Sequence, residues 1–141
     1  MGPDRSATAQ VEEHVELARA IAGAFTDADP DTAERLFHPE LEFHDAWAVG
    51  PGIYRGLAGM RQLHRDFSAA WEDFSFELVE LEPTPDGRVF MAARQRVRRR
   101  ATSREIDRTM YFLLAFRDGR LVRWDGWHLR AVARGAAGLG D

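Results

Sequence analysis

The chain predicts an α+β fold, with helices packed on one face of a curved antiparallel sheet. Three observations carry this. Apolar residues recur at threes and fours near the N-terminus and again from Leu57 to Trp71; the spacing switches to alternation from Leu41 and from Phe74 onward; and the later alternating segments are joined by short turn sequences.

Each element follows in order. Met1 to Thr8 is small and polar, with Gly2 and Pro3, and reads as a frayed tail. Val11, Val15, Ala18, Ala22 and Phe25, widened by Leu17 and Ile21, form one amphipathic helix that stops at Thr26-Asp27-Ala28-Asp29-Pro30. Asp29 or Asp31 caps a short second helix through Ala33, Leu36 and Phe37, which Pro39 ends by disfavouring a helical residue before it. Leu41, Phe43, Asp45 and Trp47 then alternate with Glu42, His44 and Ala46, a strand whose inner face carries one carboxylate among large apolar groups. After the Gly50 to Gly56 loop, Leu57, Met60, Leu63, Phe67 and Trp71 mark the buried face of a third helix. Strands follow over Phe74–Glu82, Val89–Ala101, Glu105–Arg117 and Arg120–His128, with a tight turn at Asp118-Gly119. Residues 9–134 form a single domain, and 135–141 read as a loose end.

Composition narrows the chemistry. With 141 residues, 45% apolar and 30% charged, one core is expected without a metal or disulfide staple. Cysteine is absent, which removes thiolate nucleophiles and Cys-ligated metals. All 19 basic residues are arginine, so Schiff-base chemistry and a P-loop lysine are unavailable. A net charge of −4 suits general nucleic-acid binding poorly, because that affinity comes from clustered cations. The run free of charge from Ala46 to Tyr54 is far short of the ~20 residues that span a bilayer, and no basic-then-apolar leader opens the chain, so it reads as cytoplasmic. No nucleophile elbow, zinc-protease, dinucleotide or phosphate-loop signature occurs. The histidines lack ligand spacing, and neither a metal nor an organic cofactor is expected.

What remains is ionisable residues sharing a face with bulky apolar ones. Asp45, between Phe43 and Trp47, reads as a general base strengthened by desolvation, or else as a strand-end Asp that turns outward or caps the next loop. His128, on the side of Trp124 and Gly126, reads as a donor or proton relay, or as a rim histidine. Arg94 and Arg96 share a parity with Phe90 and Ala92 and face a pocket in one register; in the other, Val89, Met91, Ala93, Gln95 and Val97 face in and the arginines are solvated. His64, on the inner edge of the third helix, is a candidate lining residue beside Phe67. Arg98-Arg99-Arg100 and Arg104 lack interleaved aromatics and read as a solvated face.

Leu36-Phe37-His38-Pro39-Glu40-Leu41-Glu42-Phe43-His44, Tyr54-Arg55-Gly56 leading to Met60, Phe116-Arg117-Asp118-Gly119-Arg120-Leu121-Val122 and the tail Ala136-Ala137-Gly138-Leu139 carry a resemblance. From about Val11 to Leu139 the chain resembles the nuclear transport factor 2-like superfamily, in its SnoaL-like branch that includes polyketide cyclases. The resemblance implies a cone-shaped α+β barrel, a strongly curved antiparallel sheet wrapped around three helices and one deep apolar pocket, with a homodimer through the outer sheet face. The outward apolar row Tyr111, Leu113 and Ala115 agrees with such a dimer. Comparison with the ketosteroid isomerases of the superfamily brings their general-base aspartate onto Asp45. It implies Arg94, Arg96, Phe112, Trp124, Gly126 and His128 as pocket positions. Trp47, beside Asp45, and Tyr54, at the end of the loop on which the pocket's shape depends, complete the expected substrate-binding set. The isomerase's oxyanion tyrosine falls on Ile21 and its protonated acid on Phe112, so that oxyanion hole is not built here. The limonene epoxide hydrolases use an Asp-Arg-Asp arrangement; Arg94 with Asp45 imitates part of it, but Arg94-Gln95-Arg96 lacks the second Asp, and Arg123-Trp124-Asp125 has outward parity.

The function expected is cofactor-free proton transfer on a hydrophobic carbonyl or polyketide-like substrate, with Asp45 as base and Arg94 or His128 steadying the enolate. Epoxide opening by a placed water, and a ligand-binding or scaffold module without chemistry, are the alternatives.

Overall fold

The computed structural model describes residues 5–26, 29–46 and 52–140. Helix α1 (Arg5–Thr26) buries Ala18, Ile21, Ala22 and Ala24 against the sheet, as its spacing requires. It starts at Arg5, inside the stretch expected to be a tail. At its end the Thr26 hydroxyl reaches both the Ala22 carbonyl (2.9 Å) and the Phe76 carbonyl (2.6 Å), tying the helix to the sheet. Helix α2 (Pro30–Arg35) has Pro at its first turn and Asp29 as N-cap, whose carboxylate accepts from the Thr32 N–H at 3.2 Å and hydroxyl at 2.6 Å.

Strand β1 (Phe37–His44) begins four residues before the alternation at Leu41, and Pro39 lies in an irregular stretch of its pairing with β6, where a missing N–H costs no ladder bond. A short strand β2 (Ile53–Arg55), not expected from the sequence, pairs back on β1 and leads into α3 (Gly56–Ala70). Strands β3 (Trp71–Pro83), β4 (Val89–Arg99), β5 (Glu105–Arg117) and β6 (Arg120–Trp127) then run as an antiparallel meander. Asp118 and Gly119 both have positive φ (55° and 72°), the two-residue turn that matches strand twist.

The strand order is β2-β1-β6-β5-β4-β3. Because the chain leaves β1 through β2 and α3 and re-enters at the far edge, β6 arrives beside β1 running the same way, and that pair is parallel. The sheet is therefore mixed where an all-antiparallel one is expected, and curved without closing into a barrel.

A fourth helix also departs from expectation. Helix α4 (Arg130–Ala137) docks on the outer face, burying Ala133 and Ala137 against Phe90 and Leu113. It ends on left-handed Gly138, whose N–H and that of Leu139 close onto Gly135 and Arg134 carbonyls, so the segment read as loose from Gly135 is built structure. Arg134 anchors it, 7% exposed, with Nη1 2.9 Å from Glu82 and the guanidinium 5.2 Å over the Phe90 ring. Leu113, one of the outward residues expected to meet a second copy, is thus covered within the chain, while Tyr111 and Ala115 stay half-buried. Among the described residues no helix is long and apolar enough to cross a membrane.

Candidate functional site

The inner face of the curved sheet does not pack solidly against the helices. A cleft of about 690 Å³ opens between α3, the α1–α2 corner and strands β1, β3, β5 and β6, within the size range of small-molecule sites. Its floor is aromatic. Phe43 and Trp124, paired across the parallel β1–β6 ladder, stack with centroids 5.0 Å apart; Phe112 lies 4.6 Å from Trp124 and 6.3 Å from Phe76. Gly126, opposite Phe112, makes room: a Cβ there would stand 3.0 Å from Ala46 Cβ and 3.2 Å from the Phe112 ring.

Helix α3 forms the opposite wall. Met60, His64 and Phe67 recur at helical spacing along it, and Arg61, Arg65 and Ser68 form the neighbouring polar stripe that also borders the cleft. Asp45 lines the cleft just beyond the end of β1, with its N–H donating to the Gly52 carbonyl at 2.8 Å. Four further carboxylates line the cleft: Asp29 caps α2, Glu34 pairs with Arg61, Glu72 with Arg100 (3.3 Å) and Asp73 with Arg98 (2.7 Å). Hydrogen bonds from Thr32 hold the Asp29 carboxyl below its ordinary range. Gln95, 4% exposed, brings a buried amide to the wall from β4.

Of the residues singled out by sequence, Asp45, His64, Phe67, Phe112 and Trp124 line the cleft. Arg94 and Arg96 do not. Val89, Met91, Ala93, Gln95 and Val97 point inward, so both arginines lie on the outer face, where Arg94 grips Asp107 with two bonds (2.9 and 2.6 Å) and Arg96 adds a third (3.3 Å). The Arg94 hydrogen bond, with help from Arg96, lowers the Asp107 carboxyl to about 2.

His128 lies past the end of β6, exposed and away from the cleft lining. Arg108 Nη1 is 3.0 Å from its Nδ1 and the Ala46 carbonyl 3.0 Å from its Nε2. Since a guanidinium can only donate, Nδ1 accepts and Nε2–H donates. His128 is thus bonded to the backbone next to Asp45.

Tyr54 is also displaced from the lining. It is 2% exposed behind the site, and its hydroxyl donates to Asp66 Oδ2 at 2.8 Å. Burial, then Asp66, then Asp45 push this phenol well above its ordinary range, so it is a permanent donor. Trp47 lies outside the described residues. Gln95 faces inward in the register that leaves the arginines outside; it is not among the candidate site residues of the sequence, and that register brings it to the cleft wall. Among the described residues no group of three or more His, Asp or Glu side chains is placed to hold a metal ion.

Residues 17–124 match the family model of the SnoaL-like domain. No curated protein matches the chain. Solved structures do match: a protein of ketosteroid isomerase-like fold from Catenulispora acidiphila, in complex with trimethylamine, has a TM-score of 0.68 at 18% identity, covering 88% of this chain and 93% of that one. TerC, co-crystallised with polyporic acid, gives 0.71 at 19% identity over 89% and 97%. A protein from Pseudomonas putida named as a candidate polyketide cyclase gives 0.70 at 13% identity over 83% and 92%. At these identities the likeness is one of fold, an α+β cone of nuclear transport factor 2-like type.

Proposed function

The chain belongs to the SnoaL-like domain family, and on that premise we propose that it catalyses cofactor-independent proton transfer on a hydrophobic carbonyl or polyketide-like substrate. Isomerisation, aldol cyclisation and dehydration are the outcomes such a step allows. The observation that carries the reading is Asp45 lining an aromatic-floored cleft, two residues after Phe43 and just past the end of β1.

In this reading the substrate lies on the Phe43, Trp124 and Phe112 rings, and Asp45 takes the proton from the carbon next to the carbonyl. The enolate oxygen then needs a donor, and the buried Gln95 amide and His64 are two cleft-lining groups that supply N–H. The same Asp45, now protonated, returns the proton at a second carbon or to a leaving oxygen. His128 and Arg108 act as positioning residues through Ala46.

Water addition to an epoxide leaned on Arg94 beside Asp45, and Arg94 is engaged on the outer face, which favours proton transfer. A cleft of this volume, not filled by side chains, favours a ligand site over a pure scaffold. A homodimer belongs to the same proposal, through the outer face beside α4.

The test is solvent exchange. The protein is incubated in D₂O with a bicyclic aromatic ketone, and deuterium entering the carbon next to the carbonyl is followed by NMR. Exchange catalysed by the wild type and lost in Asp45→Asn is expected; equal exchange in both would overturn the assignment.

A further inference from the structure

We propose, resting on the cleft being a small-molecule site, that its ligand carries a carboxylate, which Arg65 holds at the solvent side while the apolar remainder lies on the aromatic floor.

Three arginines border the cleft on this side, and two are neutralised by carboxylates. Arg61 pairs with Glu34; Arg100 pairs with Glu72 at 3.3 Å and donates to the Ser68 carbonyl at 2.7 Å. Arg65 has no carboxylate in ion-pair contact among the described residues; its Nη2 donates to the neutral Gln62 side chain at 2.7 Å.

That single bond belongs to a chain. Gln62 Nε2 donates to Asp66 Oδ1 at 2.6 Å, and Asp66 Oδ2 accepts at 2.8 Å from the hydroxyl of Tyr54, which is 2% exposed. An arginine serving only solubility gains nothing from being tethered through two side chains to a buried tyrosine, and loses rotamer freedom by it. The Gln62 bond takes one of the two Nη2 hydrogens and leaves the other, with an adjacent N–H of the guanidinium, to meet a planar oxyanion as a fork, the geometry in which guanidinium binds carboxylate best. Orientation follows from charge: Asp45 repels a carboxylate inside the cleft, so the anionic end turns outward to Arg65 and the apolar end inward.

The probes are 2-naphthoate and its methyl ester, equal in ring system and different in charge, with affinity read by calorimetry on the full chain at low salt. The wild type is expected to prefer the acid by about five- to tenfold, the size of a half-exposed charge-assisted pair. Arg65→Gln should bring the two within about twofold and leave ester binding unchanged; Gln62→Leu should fall between, because it frees the fork without removing it. Added salt should weaken only the acid.

A preference for the acid that survives in Arg65→Gln, or its absence in the wild type, would overturn the proposal. Ester binding and solvent exchange that persist without an acid preference would remove the anion subsite alone. Failure of both probes to bind would remove the cleft reading with it. Arg65 is exposed, so its substitution leaves folding intact, to be checked by circular dichroism.

Discussion

Phe43 and Trp124 stack with ring centroids 5.0 Å apart and planes 17° from parallel, across the parallel pair of strands in the sheet. Two residues after Phe43, just past the end of β1, Asp45 lines the same cleft, so the stacked pair forms the floor on which a ring would lie beside that carboxylate. Trp124 is 2% exposed and touches Phe25 and Phe112 as well. Trp124→Ala should cost about 3–5 kcal/mol in denaturant unfolding, the usual cost of deleting a buried indole.

Asp45→Asn should leave the fold intact and reduce turnover about 10²- to 10⁴-fold, the usual worth of a positioned general base. His128→Ala should lose less, since it acts through the Ala46 backbone. Thermal unfolding and solvent-exchange rates measured on the same samples separate the two effects.

Gly126→Ala places a methyl group 3.0 Å from Ala46 Cβ and 3.2 Å from Phe112. The ring must shift, at a cost of about 1–3 kcal/mol. Chemical-shift changes at Phe112 and Asp45, read by NMR, should accompany the loss of stability.

Asp107 is expected to titrate near 2 in the folded chain, because Arg94 and Arg96 bind its charged form. A carboxyl depressed on folding adds stability above its unfolded value near 3.8, and that contribution fades as pH falls through the folded value. The window is therefore about pH 4 down to 2. Arg94→Gln should raise the Asp107 midpoint in an NMR titration and leave solvent exchange at the cleft unchanged, since both groups lie on the outer face.

Ala133, on the inner side of α4, is fully buried against Phe90 and Leu113. Ala133→Glu puts a charge there and should undock the helix. Increased binding of a hydrophobic dye and concentration-dependent association in light scattering are expected, because the outer face then exposes the apolar residues that α4 covers.

The sequence by itself determined the kinds of element and most of their order. It also determined the inward parity of Phe43 and Asp45 and of Phe112 and Trp124, together with the turn at Asp118-Gly119. These are local properties: where only one face of a strand is buried, alternation reports which face, and a two-residue turn reports its own geometry. Strand β4 was not legible this way, because Phe90 and Ala92 are as buried as Met91 and Ala93. The first pair lies on the face that α4 covers and the second in the main core, so alternation vanishes and the side of Arg94 and Arg96 is left undetermined. Only the docking of a helix some forty residues later decides it. The displacement of Tyr54 behind the site, the arrival of Gln95 in the wall and the parallel pairing of β1 with β6 are decided in the same way. Each depends on which distant segment covers a face, and no periodicity within a segment encodes that.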